Sequence, residues 1–516
     1  MNQTHTMALT AILAGGFVVT VNGIDVGQPV GPVTLSTLDG DALVMSNYAE
    51  RRGTAVVFLS GRCEQTKKAM PAINRLHGRY RLRDVLFVGV CSNAQESGDE
   101  LRTFCQRRGV IFPVYRDVGG QAARQFGAHV TPEVFLLDKT GRLVYRGGTG
   151  RLTSAIASLM SARKIEPASV PAKGRPIGKP GPKREIPDPY GSFSFSAELV
   201  FEKIPGAPAH HCSTIAEAGN GDLLCVWYGG SYESADDQVL FLSRRAKGKR
   251  VWSRPQVVVR NPIQPPGNAV VFVDGLKRVW IVWGRMEASR PIRRGAGWGE
   301  CRLMRRVSTD HGATWSDDRV LVDTVGWLPR NAPVTLKNRT LLLPLSGRVD
   351  GRYGSFALAT TDNGKTWKRS GVIRGGSQPT MIERDDGSLL ALMRNAPRIL
   401  RSTSSDGGRT WSRPKRSDLK NPGAGIAMTR LANGHAVLVF NDSESRRTPL
   451  SIARSTDGGE TWERPLKLEA NPGEYSYPCV IQTSDGKIHV TYTYRRYGIK
   501  HVEMDEGWLT RLDRPN

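Results

Sequence analysis

The octapeptide Ser308–Trp315, STDHGATW, decides the fold because it recurs. The pattern S/T-x-D-x-G-x-T-W returns at Thr360–Trp367 (TTDNGKTW), Ser404–Trp411 (SSDGGRTW) and Ser455–Trp462 (STDGGETW). A degenerate copy, SRRAKGKRVW, has lost the Asp and ends at Trp252. Each position has a local physical role. The Asp accepts backbone N–H bonds across a tight hairpin turn, the Gly takes a positive φ, and the Trp tucks its ring between neighbouring sheets. Such a unit buries its apolar face only against its neighbours, so the repeat governs how every motif inside it is read.

Six alternating apolar segments accompany the turns: Asp222–Tyr228, Val279–Trp283, Thr340–Leu345, Leu389–Met393, His435–Phe440 and Lys487–Tyr492. Spread over residues 191–516 they allow about 54 residues each, enough for a four-stranded blade with its loops, so the expected architecture is an all-β six-bladed propeller.

Upstream the period changes. Between residues 24 and 150, Thr54–Leu59 and Val85–Val90 read as buried strands, and Lys67–Leu82 and Gly98–Arg108 as amphipathic helices, which is an α/β pattern. Residues 151–190 read as a helix followed by a linker: Pro167–Tyr190 holds seven prolines interleaved with Lys, Arg and Gly, a composition that predicts a semi-extended, unpacked segment. The apolar run Met7–Val21 has the length of a signal-peptide core, without a preceding Lys or Arg, and predicts that residues 1–23 direct export to the periplasm or beyond. No stretch is long enough for a transmembrane helix.

With 73 Lys+Arg against 48 Asp+Glu, the 516-residue chain carries a formal charge of +25 and favours anionic partners. The cations are spread through turns and strand ends, with no zinc-finger spacing, RNA-recognition signature or basic zipper, so no nucleic-acid partner is expected. Seven cysteines are too few and too scattered for a disulfide scaffold or a zinc site, and neither a metal nor a cofactor is expected.

The four turn motifs are Asp boxes, and residues 195–515 resemble the sialidase-like, bacterial-neuraminidase-repeat propellers. Asp boxes hold turns and speak for fold rather than chemistry. The resemblance implies arginines that hold a substrate carboxylate, an Asp acid, and a Tyr nucleophile served by a Glu. In GEYSYPCVIQTSDGK it places Tyr475 as nucleophile with Tyr477 beside it. Arg394 and Arg447 fall at two carboxylate-binding positions, and Asp237, or its neighbour Asp236, at that of the acid. Two positions depart from the pattern: His210 and His211 stand where a first-blade arginine belongs, and Gln378 where the tyrosine's glutamate belongs, a residue that cannot take a proton at neutral pH. His211, Glu233 or Glu474 would then carry acid–base work. Arg285, Arg330, Asn331, Asn441, Tyr492 and Arg495 complete a cationic, aromatic set on the channel face suited to an acidic carbohydrate or glycoprotein glycan. Each also has a plain structural reading, as a strand-end cation or a packed ring.

Residues 27–147 resemble the redoxin branch of the thioredoxin superfamily, with VVFLSGRCEQ at the redox loop and Thr131-Pro132 at the cis-proline. Cys63 lacks a second cysteine in CxxC spacing. Ser60, three residues ahead of it, fits half of a peroxiredoxin motif, whose proline is Val56 here. Arg62, Lys67, Lys68 and a helix N-terminus draw Cys63 toward thiolate, with Cys91 or Cys105 as resolving partners. The leading expectation is an exported sialidase-like hydrolase of a terminal carboxylated sugar. The alternatives are a glycan-binding propeller without catalysis, or a thiol peroxidase or oxidoreductase localised by the propeller.

Overall fold

The computed structural model describes residues 23–38, 42–45, 51–80, 83–110, 112–179, 195–289, 292–293, 295–470 and 473–510. The chain divides into two compact units, residues 1–184 and 185–516. The predicted leader at 1–23, but for Gly23, and residues 180–190 of the predicted linker lie outside the described residues.

The first unit is thioredoxin-like. Its seven-stranded sheet runs Ala42–Met45, Val33–Ser36, Val114–Arg116, Val85–Cys91, Gly53–Phe58, Glu133–Asp138, Leu143–Gly147, with the three strands from Val114–Arg116 to Gly53–Phe58 parallel. Gly53–Phe58 is buried along its whole length because apolar cores cover both faces of the sheet. Helix α1, Glu64–Tyr80, begins at the residue after Cys63, and Thr131–Pro132 is cis, as expected.

The predicted linker does not stay free. Arg175–Pro176 pairs antiparallel with Val130–Thr131, and Ser169 bridges Arg146. Proline lacks a donor but keeps its carbonyl and an extended φ, so a proline-rich segment still pairs at a sheet edge through the residues between its prolines. Composition predicted an unpacked segment because it counted missing donors and overlooked those that remain, such as the N–H groups of Val170 and Ile177.

The second unit is a six-bladed propeller. Inner strands begin at Ala209, Pro266, Leu328, Ser377, Ala427 and Tyr475, and each blade runs outward as an antiparallel meander. Blade 6 is completed by Phe195–Leu199, which pairs with Gly498–Met504, so the first strand of the unit closes the ring. The six predicted segments are the second strands of the six blades. Apolar clusters fill the spaces between blades, and Trp315, Trp367, Trp411 and Trp462 of the Asp boxes pack against them.

The box works as its sequence says. Asp310 accepts from the N–H groups of Ala313 and Thr314 at 3.1 and 2.9 Å, and Ser308 Oγ accepts from Gly312 N–H at 2.7 Å. His311 and Gly312 have successive positive φ of 61° and 83°.

One irregularity positions the site. The inner strands of blades 1, 2, 4 and 6 each break register in a bulge, and Cys212, Asn268, Gln378 and Tyr477 take positive φ there. A bulge re-aims side chains that regular alternation would send elsewhere.

Candidate functional site

Tyr477 sits at the blade 6 bulge, and three guanidinium carbons surround its ring: Arg330 at 5.2 Å, Arg447 at 5.5 Å and Arg394 at 5.6 Å from the centroid. They come from blades 3, 5 and 4. Arg394 Nη1 donates to the Tyr477 hydroxyl at 2.6 Å and to Gln378 Oε1 at 2.9 Å. Arg330 is buried and donates one bond, to Pro478 O at 2.7 Å, while its Nε and Nη1 have no protein partner. The His211 ring lies 4.4 Å from that of Tyr477. Three cations converging on one phenol ring make favourable contacts with its π-system.

Beside this cluster is a cavity of about 430 Å³ lined by residues that include His210, His211, Tyr228, Tyr232, Glu233, Gln238, Glu474 and Arg496. Arg496 bridges its two carboxylates, bonding Glu233 at 2.6 Å and Glu474 at 2.7 Å. Glu474 also takes Arg447 Nη1 at 2.6 Å and so joins the cavity to the tyrosine cluster. Burial alone would raise the Glu474 carboxyl, but the charges of Arg496 and Arg447 outweigh it and hold the group below its usual range, ionised at neutral pH. His211 is pushed well below the usual imidazole range, first by burial and then by Arg496, Arg447, Arg330 and Arg394. It is therefore neutral, and its Nδ1 pairs with Thr493 Oγ1 at 2.8 Å.

Asp237 does not line this cavity. Its carboxylate accepts from the Ser231 N–H at 3.0 Å and the Ser231 hydroxyl at 2.6 Å, closing a turn, while Asp236 beside it is also exposed. Gln238 points inward instead, holding Ser234 N–H at 2.8 Å and Pro266 O at 2.7 Å. The carboxylate that this loop presents to the cavity is Glu233, steadied by Trp298 Nε1 at 3.2 Å. Tyr475 likewise stays out of the arginine cluster: it is fully buried, and Arg495 Nε donates to its hydroxyl at 3.0 Å.

In the first unit, Cys63 is fully buried and its sulfur lies 2.9 Å from Thr131 O. Burial raises the thiol, but hydrogen bonds from the backbone of Thr66 and Arg175 and from the Thr66 side chain bring it below the usual value. Ser60 does not serve the sulfur; its hydroxyl donates to the buried Glu96, which also takes Gly61 N–H at 2.7 Å. Burial pushes Cys105 up to about 12 and Cys91 higher still, and no described cysteine is in a disulfide.

Residues 221–490, more than half of the chain, match the BNR repeat-like domain family. The chain belongs to that family. A sialidase of Micromonospora viridifaciens is 24% identical over 400 residues, 70% of this chain, and the chain spans 59% of that protein's length. The Hadza microbial sialidase Hz136 superposes with a TM-score of 0.51 at 18% identity, over 72% of this chain and 73% of that one, a likeness of fold. Residues 26–146 match the AhpC/TSA family, and a thiol-disulfide oxidoreductase ResA of Bacillus thuringiensis is 23% identical over 129 residues, 25% of this chain and 73% of that protein. The protein thus combines a thioredoxin-like unit with a sialidase-like BNR propeller.

The remaining channel residues of the BNR propeller take supporting positions. Asn441 donates to Tyr475 O at 2.8 Å, and Asn331 to Gln378 O and Pro379 O at 3.2 and 3.0 Å, so both brace the inner strands. His210 accepts from Trp227 Nε1 at 3.2 Å. Arg285 pairs with Glu287, and the buried Tyr492 donates to Glu469 at 2.7 Å, which also holds Lys500. Arg496 and Trp298 were not among the expected residues. Arg496 directly follows the expected Arg495, and their contacts show which one turns inward: Arg496 bonds Glu233 and Glu474, while Arg495 bonds Tyr475. Trp298 stands in a blade 2 loop outside the repeat and carries no motif.

Proposed function

We propose that the propeller binds a terminal carboxylated sugar over Tyr477 and hydrolyses its glycosidic bond. The observation that carries this reading is Tyr477 enclosed by three arginines from three blades. A carboxylate is the anion that a convergent guanidinium set suits best, through paired N–H···O bonds. Arg394 and Arg447 are each partly exposed and bond protein through Nη1 alone, and the unpartnered nitrogens of Arg330 face the same ring.

In this reading Tyr477 attacks the anomeric carbon as a phenolate whose proton has passed to Glu233, and the aglycone oxygen leaves with that proton from Glu233. Water then attacks the glycosyl–tyrosine bond, giving its proton back to Glu233 and its oxygen to the sugar. Arg394, donating to the phenol oxygen, replaces the missing glutamate by stabilising the phenolate electrostatically. An acidic-glycan substrate and the apolar run Met7–Val21 both support a location outside the cytoplasm in this reading.

A second reading, binding without hydrolysis, is favoured by one feature: both cavity carboxylates are tied to Arg496, and Gln378 cannot act as a base.

The test is mass spectrometric detection of sugars released by the full chain from sialosides and uronic-acid glycans. Tyr477→Phe should lower release about 10³-fold or more. Glu233→Gln should lower it about 10²–10⁴-fold. Arg394→Lys should weaken substrate binding about tenfold. Glycan binding without any release would establish the second reading. Absence of both would sink the acidic-glycan site altogether.

A further inference from the structure

Cys63 has the setting of a reactive thiol, at the start of a helix with its proton affinity lowered, yet none of its surface is exposed. The segment that reaches it comes from the same chain, C-terminal to the thioredoxin-like fold. Residues 165–179 leave the helix Leu152–Met160 and run back across the unit in extended form.

Contacts of three kinds hold this segment. Near its start, Arg146 N–H donates to Ala168 O at 2.9 Å, and Val170 N–H to Arg146 O at 3.0 Å. Farther on, Arg175 pairs with Thr131, the residue whose carbonyl touches the Cys63 sulfur, and the Arg175 backbone itself reaches that sulfur. At its end, Ile177 N–H donates to His129 O at 2.9 Å and Gly178 N–H to Asn93 Oδ1 at 2.7 Å. The fit at the crossing point is close enough to require glycine. A Cβ on Gly174 would stand 2.1 Å from Thr131 O and 2.6 Å from its carbon, both backbone atoms.

The attachment is also shallow. Lys173, Arg175, Pro176, Gly178 and Lys179 are exposed, and the side chains of the segment that pack against a core, Ile165, Val170 and Ile177, are each only partly buried. A segment held by a few edge hydrogen bonds and three partly buried apolar side chains opens far more often than the fully buried sheet beneath it. It is also an occupant of a particular kind: an extended chain pairing with an exposed strand edge, a mode of binding in which any competitor needs the same backbone groups.

We propose that residues 165–179 form a removable strap that occupies the strand edge beside Cys63 and keeps this thiol unreactive until the strap lifts. The thiol is formed and poised, and access to it is the controlled quantity. Any extended polypeptide that reaches Cys63 along Val130–Thr131 must first displace Arg175 and its neighbours. The strap ends at Lys179 on the stretch of chain that leads to Phe195, the strand that closes the propeller.

The test uses the full chain, iodoacetamide and peptide mapping of Cys63, Cys91 and Cys105. In the unaltered protein, the opening constant for Cys63 alkylation should equal that for amide exchange at Ile177 and Gly178. It should exceed that of the buried Cys91 and the core strand amides. Gly174→Val should then accelerate Cys63 alkylation about tenfold or more, leaving Cys91 and Cys105 unchanged. A Cys63 opening constant equal to that of core amides such as Val57 would overturn the proposal. So would equal acceleration of all three cysteines in Gly174→Val, because the thiol would then be reached by unfolding of the unit rather than by lifting of the strap.

Discussion

Tyr475 and Tyr477 lie two residues apart, so a regular strand would send them to the same side. The bulge between Ser476 and Cys479 separates them, giving Tyr477 to the arginines and Tyr475 to the blade interior. Their substitutions should separate as cleanly. Tyr475→Phe removes one partly buried hydrogen bond, from Arg495, and should cost about 1 kcal/mol in urea unfolding with glycan release unchanged. Tyr477→Phe should do the reverse, and equal effects of the two on release would contradict the assignment. Glu474 supplies a pH prediction at the same scale. Its folded carboxyl lies below its unfolded value, so its stabilising effect is complete above about pH 4.3 and fades as pH falls through the folded value. With a partly exposed side chain, Glu474→Gln should cost about 1–2 kcal/mol at pH 7, leaving Arg447 and Arg496 without their shared partner. The gap between variant and wild type should narrow steadily in unfolding measurements taken toward pH 3. These residues also mark how far the sequence could be read. Arg394 and Arg447 were legible because they follow repeat positions. Tyr477 and Glu233 were legible only behind Tyr475 and Asp237, and Arg496 was missed for Arg495, because local backbone turns decide which of several nearby residues faces the channel.

The Asp boxes were legible because everything they need lies within eight residues. The turn between Leu450–Ser455 and Leu466–Glu469 is typical: Asp457 accepts from the N–H groups of Glu460 and Thr461 and from the Thr461 hydroxyl. Burial raises its carboxyl, but the Thr461, Ser455 and Glu460 bonds together outweigh it and bring it down to about 2. Its contribution is therefore present above about pH 4 and is lost between about pH 4 and pH 2. Asp457→Asn should flatten the acid dependence of stability in that window. Asp457→Ala should cost about 1 kcal/mol, after allowance for solvent screening, and should increase amide exchange at Thr461 before that of the inner strand Ala427–Arg430. Uniform exchange across the blade would show that the box does not act as a local clasp. The strap, by contrast, was misread because its pairing partner lies more than forty residues away, at Val130–Thr131, and composition carries no record of a partner.

At the scale of the whole molecule, two separate cores and one ring closure set how the protein should melt. The ring is closed by Phe195–Leu199, and the latch is Glu198, which accepts from Trp252 Nε1 of blade 1 at 3.0 Å and pairs with His501 Nδ1 of blade 6 at 3.1 Å. Arg245 Nη1 stands 3.6 Å from the same oxygen. His501 is fully buried and is held near 3, first by burial and then by the charge of Arg245, so near neutral pH it donates from a neutral ring. Glu198→Ala would leave the Trp252 and His501 donors without their acceptor, at about 2 kcal/mol. For a unit of this size that corresponds to a fall of roughly 3 °C in melting temperature. Calorimetry of the full chain should resolve two transitions, since each unit has its own core. Glu198→Ala should lower only the propeller transition, leaving that of the thioredoxin-like unit in place. Equal movement of both would mean that the units unfold as one cooperative body, with the ring closure stabilising Cys63 and its strap as well as the blades.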